Sequence, residues 1–157
     1  MSVLTPGTLT PSFRLAREDG ERFTERDLRA GHTTILVFYP FAFSPVCTDQ
    51  LQVYDRALGE LTANGEEIYG VSCDSSYSQA AFREKLGVSI PQLSDFEPKG
   101  AACTAFGVLH EGGFPQRALI VTGPDGVVRW SYQAPTPAEL PGVELLCEGL
   151  AAARTVA

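Results

Sequence analysis

The chain has 157 residues, is 44% hydrophobic and carries a net charge of −7. That length suits one domain with a substantial core, and the acidic balance argues against nucleic acid and anionic membrane surfaces as partners. No stretch approaches the ~18 apolar residues of a membrane span, and the start Met1-Ser2-Val3-Leu4-Thr5-Pro6 lacks the basic and apolar regions of a secretion signal, so the expected location is the cytoplasm.

In chain order, Phe13 to Ala16 and Glu21 to Thr24 flank Asp19-Gly20 and read as a hairpin. Glu25 to Leu28 is a helical turn. Thr33 to Tyr39 is a near-continuous apolar run, as in a strand covered on both faces. Ser44 to Ala63 reads as a helix ending near Asn64-Gly65. Ile68 to Cys73 is a second buried strand, and Ser76 to Leu86 an amphipathic helix stopped by Gly87. Pro98 to Phe106 is a short helix stopped by Gly107. Ala118 to Thr122 and Val127 to Tyr132 flank Pro124-Asp125-Gly126 as another hairpin, and Ala138 to Arg154 closes the chain as a helix. Thr136-Pro137 and Pro141-Gly142 interrupt that last segment, so Pro141 is the alternative start. A hairpin, a β-α-β unit, further helices and a second hairpin suit a mixed central sheet with helices on both faces.

The segment most informative about chemistry is Tyr39 to Leu51. Cys47, Leu51, Tyr54, Leu58 and Leu61 repeat at intervals of four and three, the inward face of a helix. Ser44 is a good N-cap, and Pro45 then takes the first helical position, where its missing N–H costs nothing. Cys47 falls in the first turn, where the positive end of the helix favours a thiolate. Ser44-x-x-Cys47 puts sulfur where a capping box has glutamate, so the Ser44 hydroxyl is expected within hydrogen-bond reach of it. A buried structural cysteine fits the helix geometry equally well; the flanking residues separate the two readings.

Pro40-x-x-x-Ser44-x-x-Cys47 resembles the active-site motif of the peroxiredoxins, Pro-x-x-x-(Thr/Ser)-x-x-Cys. Pro45-Val46-Cys47-Thr48 is similar to one-cysteine members, and Phe38 to Ser44 is most similar to the alkyl hydroperoxide reductase E type. Pro11 to Leu15, Tyr69 to Ser75, Leu93-Ser94-Asp95, Ala105 to Val108 and Arg117 to Val121 resemble further family landmarks in the family's order. The resemblance implies one thioredoxin-like α/β domain over residues 1–157, with the N-terminal hairpin as an extension. It also implies a thiol-dependent peroxidase without a cofactor or metal, with Cys47, Ser44, Arg117 and Pro40 in the site. Its partners would be a hydroperoxide, an external thiol reductant of mycothiol, glutaredoxin or thioredoxin type, and a second copy in a homodimer. One position departs from the pattern: Gln50 stands where the family usually has Glu, retaining hydrogen bonds without charge.

Ionisation alone does not make such an enzyme. A thiol of pKa ~8.5 is roughly 7% thiolate at pH ~7.4, and one of pKa ~6 roughly 96%. Most of that roughly thirteen-fold gain is lost because nucleophilicity falls with pKa, with a slope of ~0.4–0.5. The remainder must come from positioning and from stabilising charge as the O–O bond breaks. Arg117 would bring a fixed charge and a fork of donors, Ser44 a hydroxyl, and Val46 and Cys47 their backbone N–H groups. Pro40 would exclude water. Phe41 and Phe43 fit an apolar mouth, or equally a core or dimer contact.

Cys73, Cys103 and Cys147 occur in no Cys-x-x-Cys and read as buried, inert thiols. To resolve Cys47, one would have to come within ~4.4–6.8 Å of it, Cα to Cα, by helix unwinding. The expectation is a one-cysteine mechanism. A redox-sensing module and a thiol–disulfide carrier of the same fold are the alternatives.

Overall fold

In the computed structural model, which describes residues 2–155, the N-terminal hairpin pairs β1 (Arg14–Arg17) with β2 (Arg22–Thr24), Leu15 opposite Phe23. Helix α1 (Glu25–Leu28) starts at a capping box: Asp27 accepts from the Thr24 N–H at 2.8 Å, and the Thr24 hydroxyl accepts from the Arg26 N–H. Strand β3 (Thr34–Phe38) is buried along its whole length, as an apolar run between two helical layers must be. Helix α2 (Pro45–Arg56) is followed by the single turn α3 (Leu58–Leu61), then by β4 (Glu67–Ser72), α4 (Ser76–Leu86), β5 (Gln92–Ser94) and α5 (Ala101–Ala105). The chain ends with β6 (Ala118–Thr122), β7 (Val128–Gln133) and α6 (Val143–Arg154).

Among the described residues the seven strands make one sheet in the order β2-β1-β5-β4-β3-β6-β7. Its centre is parallel (β3 with β4, β4 with β5), and the flanking pairs are antiparallel. Side chains alternate across the sheet. Ile35, Val37, Leu119 and Val121 therefore join Leu51, Phe82 and Leu146 of α2, α4 and α6 in one layer. Leu36, Phe38 and Ile120 join Phe13, Leu28 and Phe106 in the other.

Four expectations change. The helix foreseen from Ser44 to Ala63 breaks at Ala57, whose N–H bonds back three residues to Tyr54 O at 3.1 Å and tightens the turn, while Leu61 still points inward. The strand foreseen to end at Cys73 stops at Ser72. The last helix begins at Val143, with Gly142 as its cap. Strand β5 was not foreseen: three residues carry no periodicity, and only pairing with β4 and β1 defines them. Through β5 the N-terminal hairpin becomes part of the central sheet.

Gly149 lies in the middle of α6, where alanine ordinarily stabilises by ~1 kcal/mol. A Cβ there would meet the Trp130 ring at 2.4 Å, so glycine lets α6 lie against β7. Gly149→Ala should lower stability by about 1–3 kcal/mol through overpacking. Urea unfolding should show a lower midpoint at unchanged slope.

Candidate active site

Strand β3 hands the chain to Tyr39 and Pro40, both buried, and the Tyr39 N–H donates to Val71 O at 3.0 Å, tying this exit to β4. The loop 41–44 then turns sharply. Phe43 takes φ 69, a left-handed conformation that costs a bulky residue roughly 1–2 kcal/mol. The loop is held by Asp74, which accepts from the Ala42 N–H at 2.8 Å, and by the Ser44 hydroxyl, which donates to Phe41 O at 3.0 Å. Ser44 is the N-cap residue in backbone geometry, and Pro45 begins the helix as expected. Its side chain makes no cap bond, and its bond to the Cys47 sulfur does not form. The hydroxyl proton is taken by the loop's own carbonyl instead.

Arg117 immediately precedes β6, and Ala118 lies opposite Phe38 across the antiparallel β3–β6 ladder. That register brings the base of Arg117 beside the exit of β3, and the side chain reaches the first turn of α2. Its Nη2 donates to Cys47 Sγ at 3.2 Å, its Nη1 to Gln50 Oε1 at 2.5 Å and its Nε to Pro137 O at 2.7 Å. Arg117 is 2% exposed, while Cys47 and Gln50 are fully buried. Of these three acceptors, the sulfur alone can carry a negative charge.

A second set of bonds holds Gln50. Its Nε2 donates to the Tyr54 hydroxyl at 3.3 Å, which donates in turn to Pro141 O at 2.6 Å. Cys47, Gln50 and Tyr54 lie three and four residues apart on one helix face, so α2 lines up sulfur, amide and phenol in one row. Burial pushes Tyr54 up to about 12, so its proton stays on and the donor to Pro141 persists. Pro40 is buried at the edge of a cleft that Phe41 also lines. Phe41 and Phe43 are half exposed, their rings leaning on Phe114 and Phe82 at 4.9 and 5.1 Å. Cys47 itself is fully buried.

The sequence singled out Cys47, Arg117, Ser44 and Pro40, and the structure brings Cys47 and Arg117 into direct contact. It did not assign Gln50 to Arg117, nor did it find Tyr54, Asp74 or the carbonyls of Pro137 and Pro141. The signal for Gln50 and Tyr54 was their spacing from Cys47 on the helix stripe. The carbonyls come from a loop that carries no signal of its own.

Residues 6–131 match the AhpC/TSA family. A Mycobacterium tuberculosis protein described as a peroxiredoxin is 38% identical over 108 residues, covering 69% of this chain and 67% of its own. Alkyl hydroperoxide reductase E of Mycobacterium bovis is 28% identical over 151 residues, 96% of this chain and 98% of that one. The crystal structure of Enterococcus faecalis AhpC superposes with a TM-score of 0.86 at 27% identity, covering 99% of this chain and 95% of that one. The chain belongs to the AhpC/TSA family. It is a peroxiredoxin with a thioredoxin-like fold.

This peroxiredoxin holds its arginine with a neutral amide. Among the described residues no carboxylate lies within 4.0 Å of the Arg117 guanidinium, and the Gln50 amide accepts from Arg117 and donates to Tyr54. Among the same residues no helix is long and apolar enough to cross a membrane.

The buried phenols set an alkaline limit. Burial raises Tyr39, Tyr54 and Tyr69, the last two to about 12, whereas an unfolded tyrosine ionises near ~10. The contribution of Tyr54 and Tyr69 to stability is therefore full below ~10 and lost as pH rises through about 12. Absorbance titration should show these three ionising late in the folded protein and near ~10 in guanidinium. Tyr54→Phe should remove one from the late group. It should also cost about 1–3 kcal/mol, because Gln50 Nε2 loses its buried acceptor.

Proposed function

We propose that this peroxiredoxin is a cytoplasmic thiol-dependent peroxidase, acting as one domain over residues 1–157, that reduces hydrogen peroxide and organic hydroperoxides by a one-cysteine route. The observation that carries this reading is the contact between a buried guanidinium and the Cys47 sulfur. As a thiolate, Cys47 attacks one peroxide oxygen; the O–O bond breaks, the other oxygen leaves as water or alcohol, and Cys47 becomes a sulfenic acid. The Arg117 fork touches the sulfur through Nη2 and stabilises charge passing along the S–O–O line. The first-turn N–H groups of Val46 and Cys47, which have no intrahelical acceptor, face the same space.

The peroxide enters by displacement of the loop 41–44, whose strained Phe43 lowers the cost of that movement. Once the loop moves, the Ser44 hydroxyl leaves Phe41 O and becomes available to a peroxide oxygen. Pro40 keeps water from the sulfur, and the half-exposed rings of Phe41 and Phe43 give an apolar rim suited to organic hydroperoxides.

An external thiol of mycothiol, glutaredoxin or thioredoxin type then attacks the sulfenic acid. Cys73 and Cys103 belong to the core layer opposite that of Cys47, which disfavours a resolving role for either and a carrier disulfide that includes Cys47. Cys147, expected to be buried, is partly exposed; its partial burial and the nearby Glu60 raise its thiol, making it a poor nucleophile. A homodimer, common in the family, completes the proposal.

Stopped-flow mixing of the reduced protein with hydrogen peroxide and with an alkyl hydroperoxide tests it. Rapid consumption should yield sulfenic acid at Cys47 by mass spectrometry and disappear in Cys47→Ser. Arg117→Met should slow the reaction by about 10²–10³, the loss typical of one preorganised donor, and Arg117→Lys should restore only part, lacking the fork. A wild-type rate equal to that of free cysteine would refute the enzyme and favour the sensor.

A further inference from the structure

The sequence leaves Cys73 and Cys103 as separate thiols thirty positions apart, yet the fold gathers them. Parallel pairing of β4 with β5 sets Ser72 opposite Ser94, so the next residues, Cys73 and Asp95, leave the sheet side by side; the Asp95 N–H donates to Ser72 O at 2.8 Å. The Asp95 carboxylate then accepts from the N–H groups of Ala102 and Cys103 at 3.0 and 2.8 Å, capping α5 from outside the helix. Cys103 is thereby drawn to the end of β4. The two sulfurs and a carboxylate oxygen all lie within 4.8 Å of one another.

The two thiols differ in access. Cys73 borders a cleft of about 280 Å³ shared with Pro40, Phe41, Phe96 and Lys99, whereas Cys103 is fully buried behind it. Neighbouring Cys103 holds the Cys73 thiol below its ordinary value, while Cys73 and burial push Cys103 well up. A thiol that lines a cleft, set beside a fully buried one, is the arrangement a dithiol needs for attack followed by ring closure.

We propose that Cys73 and Cys103 form a second redox site, in which a hydroperoxide oxidises Cys73 and Cys103 closes an intrachain disulfide. The Cys73 sulfur attacks a peroxide oxygen; the O–O bond breaks and the alcohol leaves with the proton released by Cys73, giving Cys73 sulfenic acid. The Cys103 sulfur then attacks the Cys73 sulfur. The S–O bond breaks, and hydroxide leaves as water with the Cys103 proton, relayed by the Asp95 carboxylate beside it. Two thiols lose two electrons and one peroxide gains them. Two equivalents of an external thiol return the pair to the reduced state. The site consumes its own equivalent of peroxide, independently of Cys47.

The test is a titration of reduced protein with hydrogen peroxide in the absence of reductant, followed by thiol counting in denaturant and peptide mass spectrometry. Cys47→Ser should fall from three free thiols to one and yield a Cys73–Cys103 disulfide peptide. It should do so faster folded than unfolded. In Cys47→Ser with Cys103→Ser, Cys73 should stop at a sulfenic acid trapped by dimedone. Wild-type protein should consume two equivalents, and Cys73→Ser one, with Cys47 oxidised at the wild-type rate. Three thiols persisting in Cys47→Ser, Cys73 reaching sulfinic acid beside a free Cys103, or equal rates in folded and unfolded chains would each overturn the proposal. Wild-type oxidation of Cys47 is read separately by its own peptide, so failure there is distinguishable from failure here.

Discussion

A guanidinium buried against a sulfur is the contact around which this protein is arranged. Removing a charge from water is unfavourable unless partners replace the lost hydration. Arg117 finds three: the Gln50 amide, the Pro137 carbonyl and the Cys47 sulfur. Two are neutral by nature. Of the three, the sulfur is the acceptor able to carry a compensating charge, and it is the atom that the proposed reaction uses. The β3–β6 register, the inward stripe of α2 and the path of the β7–α6 loop each place one end of this contact. Displacing any of them would leave a buried donor unpartnered.

The choice of glutamine at position 50 acts on the same balance. A carboxylate there would share the positive charge of Arg117, whereas an amide accepts one hydrogen bond and leaves the charge facing the sulfur. Because an amide also donates, Gln50 passes the connection on to Tyr54 and from there to Pro141. A loop with no regular structure is thus fixed to the helix that carries the thiol. The loop before α2 is held separately, through Asp74, with Phe43 in a left-handed conformation and the rings of Phe41 and Phe43 half exposed.

The central sheet separates Cys47 from Cys73 and Cys103. Cys47 lies with α2, α4 and α6, and Cys73 and Cys103 lie on the opposite face. Both groups emerge at the same ends of the parallel strands, where β3 leads to Pro40 and β4 to Cys73, and Pro40 borders the cleft that Cys73 lines. Asp74 bonds the loop over Cys47 and directly follows Cys73. One strand end therefore borders both groups of thiols, which the sheet keeps in separate layers.

Much of this was legible from local pattern. The apolar run of β3, the Ser44-Pro45 start of α2, the Gly87 stop of α4 and the two hairpins each depend on residues within a turn or a strand of one another, and the motif around Cys47 with Arg117 at a strand start pointed to two residues that the fold brings into contact. What lay beyond the sequence depends on residues far apart along it. Strand β5 exists because β4 and β1 bind its two edges; the break at Ala57 follows from one tightened hydrogen bond; the Ser44 hydroxyl is claimed by a carbonyl that the loop happens to present. The chain by itself determined most of the secondary elements and singled out the candidate sulfur, since short-range periodicity and capping encode them. Tertiary structure alone decided which carbonyls hold Arg117 and which two of the remaining thiols meet, because sheet register, a property of several strands together, sets both.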